Sequence, residues 1–243
     1  MPARHRTRWT VALAAATVLT LGCGALPDDP TLPDDPAPQP NAPQATASAE
    51  VDGTKTVEEF QRDARGAVGQ AERYWKAVFT DSGVAFTPVR TVSPYRNTGD
   101  LACGPEPIPA NNAVYCPAGD FIAYDADWAV TAFRRIGDAF VFYLLGHEYA
   151  HAIQARLGIE HRYAIDHELQ ADCMAGAYLG DSVRSGDLTL ADGDLDEFRT
   201  GLLAVGDPEG QPWFAPDSHG TVQQRTRAFF NGYERSLDAC DLS

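Results

Sequence analysis

The chain has 243 residues, 44% of them hydrophobic and 10% aromatic. That is enough for one sizeable core and too apolar for a chain disordered throughout. Its 19 basic and 34 acidic residues leave a formal net charge of −15. Nucleic acid and flat adhesion to anionic lipid both need a basic face, so the balance argues against each as a partner.

Arg4, Arg6 and Arg8 make a basic start, and Trp9 to Leu21 is uncharged and mostly apolar. Thirteen residues are too few to span a bilayer as a mature helix but fit the h-region of an export signal. The run ends at Leu21-Gly22-Cys23-Gly24, which resembles a bacterial lipobox and makes Cys23 the candidate for lipidation; ordinary signal-peptidase cleavage nearby is the alternative. Residues 1–22 read as a lipoprotein-type signal peptide. Its loss removes three arginines and no acids, making the mature chain more acidic still. Residues 23–52 follow as a tether. Between Ala25 and Glu50, seven prolines and four aspartates, with little beside alanine to bury, predict an extended spacer. The expectation is an exported domain on the outer face of the bacterial membrane, touching it through a lipid anchor only, or secreted.

Five cysteines in an exported chain leave one over unless Cys23 carries lipid. Cys103 and Cys116 enclose a short Pro/Asn-rich loop and form the natural local pair, which leaves Cys173 to meet Cys240. Such closures contribute about 3 and about 4 kcal/mol in the loop-entropy account. A four-cysteine zinc site is the alternative, against which the absence of a C-x₂-C spacing counts.

The folded part, residues 53–243, begins with an amphipathic helix over about 55–80, on which Val57, Phe60, Ala64, Val68, Ala71, Trp75 and Val78 fall near helical spacing. Phe86 to Tyr95 mixes β-branched and aromatic residues with two prolines and predicts an irregular or edge strand. Ala113–Cys116 and Phe121–Tyr124 flank Pro117-Ala118-Gly119-Asp120, a hairpin pattern. From Ala126 the pattern is helical. A strongly apolar helix runs from about Asp138 to Leu157 and stops at Gly158; another covers about Asp166–Val183. Two more helices are expected near Leu190–Val205 and Thr221–Leu237, around a Gly/Pro-rich loop at 206–220. The fold class is α+β, mainly helical with a small β-sheet or hairpin.

The chemistry lies in His147-Glu148-Tyr149-Ala150-His151 on the apolar helix. Residues four apart on an α-helix share a face, so both imidazoles can bind one Zn²⁺. Glu148 flanks that face within reach of a water activated there, as a general base. If the histidines instead bound nothing, Glu148 would stand charged against an apolar wall, which is costly without a partner. A catalytic zinc needs a third protein ligand and an open fourth position. Glu168 and Asp172, themselves four apart, follow on the next helix; one can ligate while the other reaches back to a histidine N–H and fixes its tautomer. Tyr149, His161, Tyr163 and His167 lie close by in sequence without an assigned role.

This set resembles the gluzincins, zinc peptidases with an H-E-x-x-H helix and a glutamate from a following E-x-x-x-D helix. More closely, the chain resembles the bacterial "putative neutral zinc metallopeptidase" family, on Tyr115-Cys116-Pro117, His147 to Gln154, Glu168 to Gly176, His219-Gly220-Thr221, Gln224-Arg225, Phe229, Gly232 and Cys240. One departure is Asp217-Ser218, where the family usually has Phe-Thr. The resemblance implies a zincin-like domain holding one Zn²⁺ on His147, His151 and Glu168, with Asp172 orienting a ligand histidine and Glu148 as the base that activates water against a peptide or protein substrate. It also suggests the strand around Phe121–Tyr124 as the acceptor of extended substrate, and His219 as a donor to the oxyanion. For His219 a loop-structuring role is the alternative, and Arg225 is expected in a structural ion pair. A zinc-containing surface lipoprotein that binds without turnover stands as the other functional reading, with the intact Glu148 counting against it.

Overall fold

The computed structural model describes residues 53–208 and 210–242; the expected export signal and tether, with Cys23, lie outside them. Among the described residues, no helix is long and apolar enough to cross a membrane.

The first helix, α1 (Val57–Asp81), starts at a reciprocal cap in which Thr56 Oγ1 accepts from the Glu59 amide at 3.1 Å and Glu59 accepts from the Thr56 amide. Phe60, Ala64, Ala67, Ala71, Trp75 and Phe79 recur every three or four residues and are all buried, so one stripe of α1 faces the core. Next come β1 (Thr91–Tyr95) and a short antiparallel pair, β2 (Ala102–Cys103) and β3 (Glu106–Pro107), which the sequence pattern did not reveal. The expected hairpin is present as β4 (Ala113–Cys116) and β5 (Phe121–Asp125).

Sheet order is β1-β5-β4, with β1 parallel and β4 antiparallel to β5. Phe121–Tyr124 therefore lies in the middle of the sheet with both edges paired, and the expectation that it accepts substrate is corrected: a strand hydrogen-bonded on both sides has no edge to offer. The available edge beside the histidines belongs to β4.

Asp125 ends β5 and caps α2 (Ala126–Arg135) by accepting from the Asp127 and Trp128 amides. The apolar helix α3 (Asp138–Leu157) is buried on nearly all sides. It has no cap of its own; Glu197 of α5 (Asp194–Val205) accepts from the Ala139 amide at 3.1 Å instead. Gly158 ends α3 in the left-handed region at φ 66°, as the sequence signal required. The next helix, α4 (Ala164–Ser185), packs on α6 (Val222–Arg235), which a Thr221–Gln224 capping box starts. α5 begins later than periodicity suggested, because Asp194 turns the chain by accepting from the Ala191 amide.

Disulfides join Cys103 to Cys116 and Cys173 to Cys240, the pairing expected from the sequence. The second ties α4 to the segment after α6. The α4–α6 crossing depends on missing side chains: a Cβ on Gly232 would stand 1.9 Å from the Cys173 carbonyl oxygen, and one on Gly176 2.0 Å from that of Phe229. Backbone cannot yield there as a flexible side chain can. Gly232→Ala is expected to destabilise the domain by about 1–3 kcal/mol, read as a lowered thermal midpoint by circular dichroism; an unchanged midpoint would mean that the helices do not cross so closely.

Candidate metal centre

Two helices build the centre. α3 presents His147, Glu148 and His151 on one face, and α4 brings Glu168 and Asp172 opposite them. His147 Nε2 stands 3.0 Å from His151 Nε2 and 3.2 Å from Glu168 Oε2, and His151 Nε2 stands 3.4 Å from Glu168 Oε1. His147 and Glu148 are buried, and Asp172 is wholly so.

The surrounding hydrogen bonds assign the histidine tautomers. Gln154 donates through Nε2 to the His167 carbonyl and to Gln170 Oε1, so its own Oε1 is the acceptor that faces His151 Nδ1 at 2.8 Å. His151 therefore carries its proton on Nδ1 and turns a bare Nε2 toward His147. Asp172 Oδ1 lies 2.9 Å from His147 Nδ1, a close contact off the line of a straight hydrogen bond, and places that proton on Nδ1 too. Two nitrogen lone pairs and a carboxylate thus converge on one small space. Three acceptors repel one another unless a cation lies among them. Ligands about 2.0–2.1 Å from a shared tetrahedral ion stand about 3.3 Å apart, close to the three separations here. The donor set fits one small metal ion such as zinc.

The electrostatics of the metal-free protein agree. Burial alone pushes the His147 imidazole down, but the Asp172 and Glu168 carboxylates outweigh it and lift its pKa to about 10. Burial raises Glu168, yet hydrogen bonds from His147 and His151 bring it well below the usual carboxylate range. Asp172 is likewise held low against its burial, first by Arg225 and then by His147. A proton is drawn into the space that a metal ion fits.

Arg225 forms the structural ion pair the sequence suggested. Its Nε donates to Asp172 Oδ2 at 2.8 Å and its Nη2 to Asp172 Oδ1 and Tyr143 Oη at 3.0 Å each; Nη1 donates to the Val205 carbonyl. Tyr143 Oη donates to Asp172 Oδ1 at 2.9 Å. Asp172 is thereby locked from two helices, α3 and α6, and the histidine it faces is His147.

Glu148 does not stand against an apolar wall. Its Oε2 accepts from the Tyr115 amide on β4 at 2.7 Å, across the mouth of the centre. A cleft of about 710 Å³ opens there between β4 and α3, lined by the three candidate ligands, Glu148 and His219. A hollow of about 780 Å³ between α1, β1 and α2 is slightly larger but carries no histidine or cysteine. Chemistry and volume point to different places, and the convergent donors decide for the first.

His219 reaches the cleft wall from the loop before α6 with its side chain about half exposed. Asp207 clasps that loop, accepting from the His219 and Gly220 amides at 2.8 Å each and from Ser218 Oγ at 3.2 Å, and it lies 3.4 Å from His219 Nδ1. Ser218, from the Asp217-Ser218 pair that departs from the family pattern, supplies a hydroxyl to this clasp. Of the residues left without a role, His167 stacks on His151 with ring centroids 5.1 Å apart. Half burial and then the neighbouring His151 push its pKa down to about 4, which keeps it neutral. His161 meets Gln170 Oε1 at 3.0 Å. Tyr149 is buried on another side of α3, its hydroxyl near the Val89 amide.

Sequence reasoning missed Gln154, Tyr143 and Asp207. Gln154 sits three residues after His151 on the same helix, a spacing that could have been read. Asp207 is twelve residues from His219, and no local signal joins them.

A family model described as "Putative neutral zinc metallopeptidase" matches residues 25–242. "Uncharacterized protein YpfJ" of Escherichia coli K12 is 30% identical over 191 residues, 67% of this chain and 64% of that protein. "Uncharacterized protein Rv2575" of Mycobacterium tuberculosis H37Rv is 31% identical over 163 residues, 54% of each chain. The chain thus spans less than two thirds of the length of these relatives. No solved structure matches. With the match running through α1 to α6 and across both centre-forming helices, the chain belongs to the "putative neutral zinc metallopeptidase" family.

Proposed function

We propose that the protein is a zinc-dependent peptidase with His147, His151 and Glu168 as metal ligands and Glu148 as general base. The observation that carries this reading is the convergence of two imidazole lone pairs and a carboxylate beside a second, separately held carboxylate. A zinc ion bound there supplies Lewis acidity, which polarises a carbonyl and acidifies water. Every other part is played by the chain.

β4 receives the substrate. The Asp125 amide donates to the Asn112 carbonyl, which makes Asn112, Val114 and Cys116 the residues bonded to β5. By alternation the amide and carbonyl groups of Ala113 and the Tyr115 carbonyl face the cleft, the Tyr115 amide being given to Glu148. An extended peptide can add there as a further strand. Its scissile carbonyl then lies between Glu148 and the metal ligands. Glu148 removes the water's proton and passes it to the leaving amine. Asp172 and Gln154 hold the two imidazoles in their lone-pair-forward tautomers throughout. His219, steadied by Asp207, donates to the carbonyl oxygen as negative charge develops.

Two disulfides suit an oxidising compartment, and with the basic-then-apolar start they support export and a lipid anchor at Cys23. Mass spectrometry of the native protein is expected to find an acylated Cys23 as its first residue; an unlipidated start elsewhere would exclude the anchor.

Glu148→Gln is expected to keep one zinc per chain and an unchanged melting temperature while losing peptide hydrolysis by at least about a thousandfold. His147→Ala is expected to lose the metal by elemental analysis. Metal retention without turnover in the wild type would leave a binding module in place of an enzyme. For His219→Gln, an oxyanion role predicts a kcat lower by about 10²–10³ with zinc and stability retained; a lowered melting temperature with kcat intact would make His219 a loop residue only.

A further inference from the structure

Peptidases that remove terminal residues hold the α-ammonium or the α-carboxylate of the substrate with an opposite charge one residue from the reacting bond. The cleft has no such arrangement among its described lining residues. Its lining arginine is Arg225, whose guanidinium is already committed to Asp172, Tyr143 and the Val205 carbonyl. His219 leans on Asp207, whose carboxylate stands 3.4 Å from its Nδ1. Glu148 is the base and Glu168 a ligand. The remaining lining carboxylate, Glu160, lies beyond the end of α3. Glu160 is exposed to solvent there, whereas an N-terminal ammonium awaiting removal sits within about one residue, some 3.3 Å, of the reacting carbonyl, where Glu148 and Glu168 already stand.

The cleft also continues on both sides of the centre. Its α3 floor runs from Leu144 to Gly158, about 21 Å, with His147 and His151 between. Above it, β4 and its turn follow the helix in the same sense, Tyr115 meeting Glu148 and Asp120 meeting Arg156. An extended chain covers that length with about six residues. On the Leu144 side Trp128, Ala204 and Val205 make an apolar recess; on the other lie Ala155, Gly158 and Ile159.

We infer that the protein is an endopeptidase: it takes the middle of an extended, unfolded polypeptide segment of about six residues along the β4 edge and hydrolyses an internal bond. The inference rests on the peptidase reading above. Water adds its oxygen to the carbonyl carbon and its protons pass to the new carboxyl and amine ends; one C–O bond forms, one C–N bond breaks, and no other reactant is consumed. Free chain ends take no part in recognition.

The test uses the full chain with zinc bound and an eight-residue peptide library, each peptide made with free ends and with acetylated and amidated ends, followed by mass spectrometry. Blocked peptides are expected to be cut at internal bonds with kcat/KM within about threefold of their free-ended forms, and blocked tripeptides at least about tenfold more slowly. Cleavage confined to free-ended peptides, with release of single terminal residues, would overturn the inference while leaving the peptidase reading intact. Cleavage of neither set, with zinc bound, would remove that reading and the inference with it. Glu148→Gln, run alongside, assigns any cutting to this site.

Discussion

Everything at the centre depends on Asp172. This carboxylate is wholly buried, and a buried charge is tolerated only when it is paired and hydrogen-bonded. Arg225 of α6 supplies the counter-charge through two nitrogens, Tyr143 of α3 adds a hydroxyl, and what acceptor capacity remains is turned on His147 Nδ1. One side chain of α4 thereby fixes the separation of three helices and the tautomer of a candidate ligand. Removing Arg225 would leave the charge stranded, at a cost of about 3–5 kcal/mol for a broken buried pair.

That network explains features elsewhere that look unrelated to chemistry. Arg225 reaches Asp172 only because α6 lies almost backbone-to-backbone on α4, and the glycines at 176 and 232 permit that approach. The Cys173–Cys240 bridge begins one residue after Asp172 and pins the chain beyond α6 to the same stretch of α4. The capping box at Thr221 starts α6 at the point that turns Arg225 inward, and the same short stretch leads back to His219 and the Asp207 clasp. Stability and site geometry are therefore coupled through α6, although α6 contributes no candidate ligand.

The sheet plays the complementary part. Its middle strand is consumed by pairing, so β4 alone is left to line the cleft, held in place by the Cys103–Cys116 bridge at one end and by Glu148 at Tyr115. The carboxylate that the proposed mechanism uses as base is thus aimed by the same backbone that would receive the substrate. A strand edge recognises main chain without regard to side chains, which suits a cleft whose lining arginine is already committed to Asp172.

The sequence by itself determined the helices, the hairpin, the Cys103–Cys116 bridge and the H-E-x-x-H face, because each is a local matter of periodicity, capping or short loop closure; Cys173–Cys240, 67 residues apart, followed only as the remaining pair. It put Glu168 and Asp172 on one face of the next helix and marked Arg225 for an ion pair, since spacing and composition bear on both. It could not say that Asp172 faces His147 and not His151, that Gln154 sets the other tautomer, or that Asp207 clasps the His219 loop. Nor could it show that β5 is buried between two strands, for strand order is invisible in a pattern of alternating residues. Those were decided by tertiary structure alone, because each depends on which backbones approach closely enough for a buried charge or an unpaired amide to find its partner.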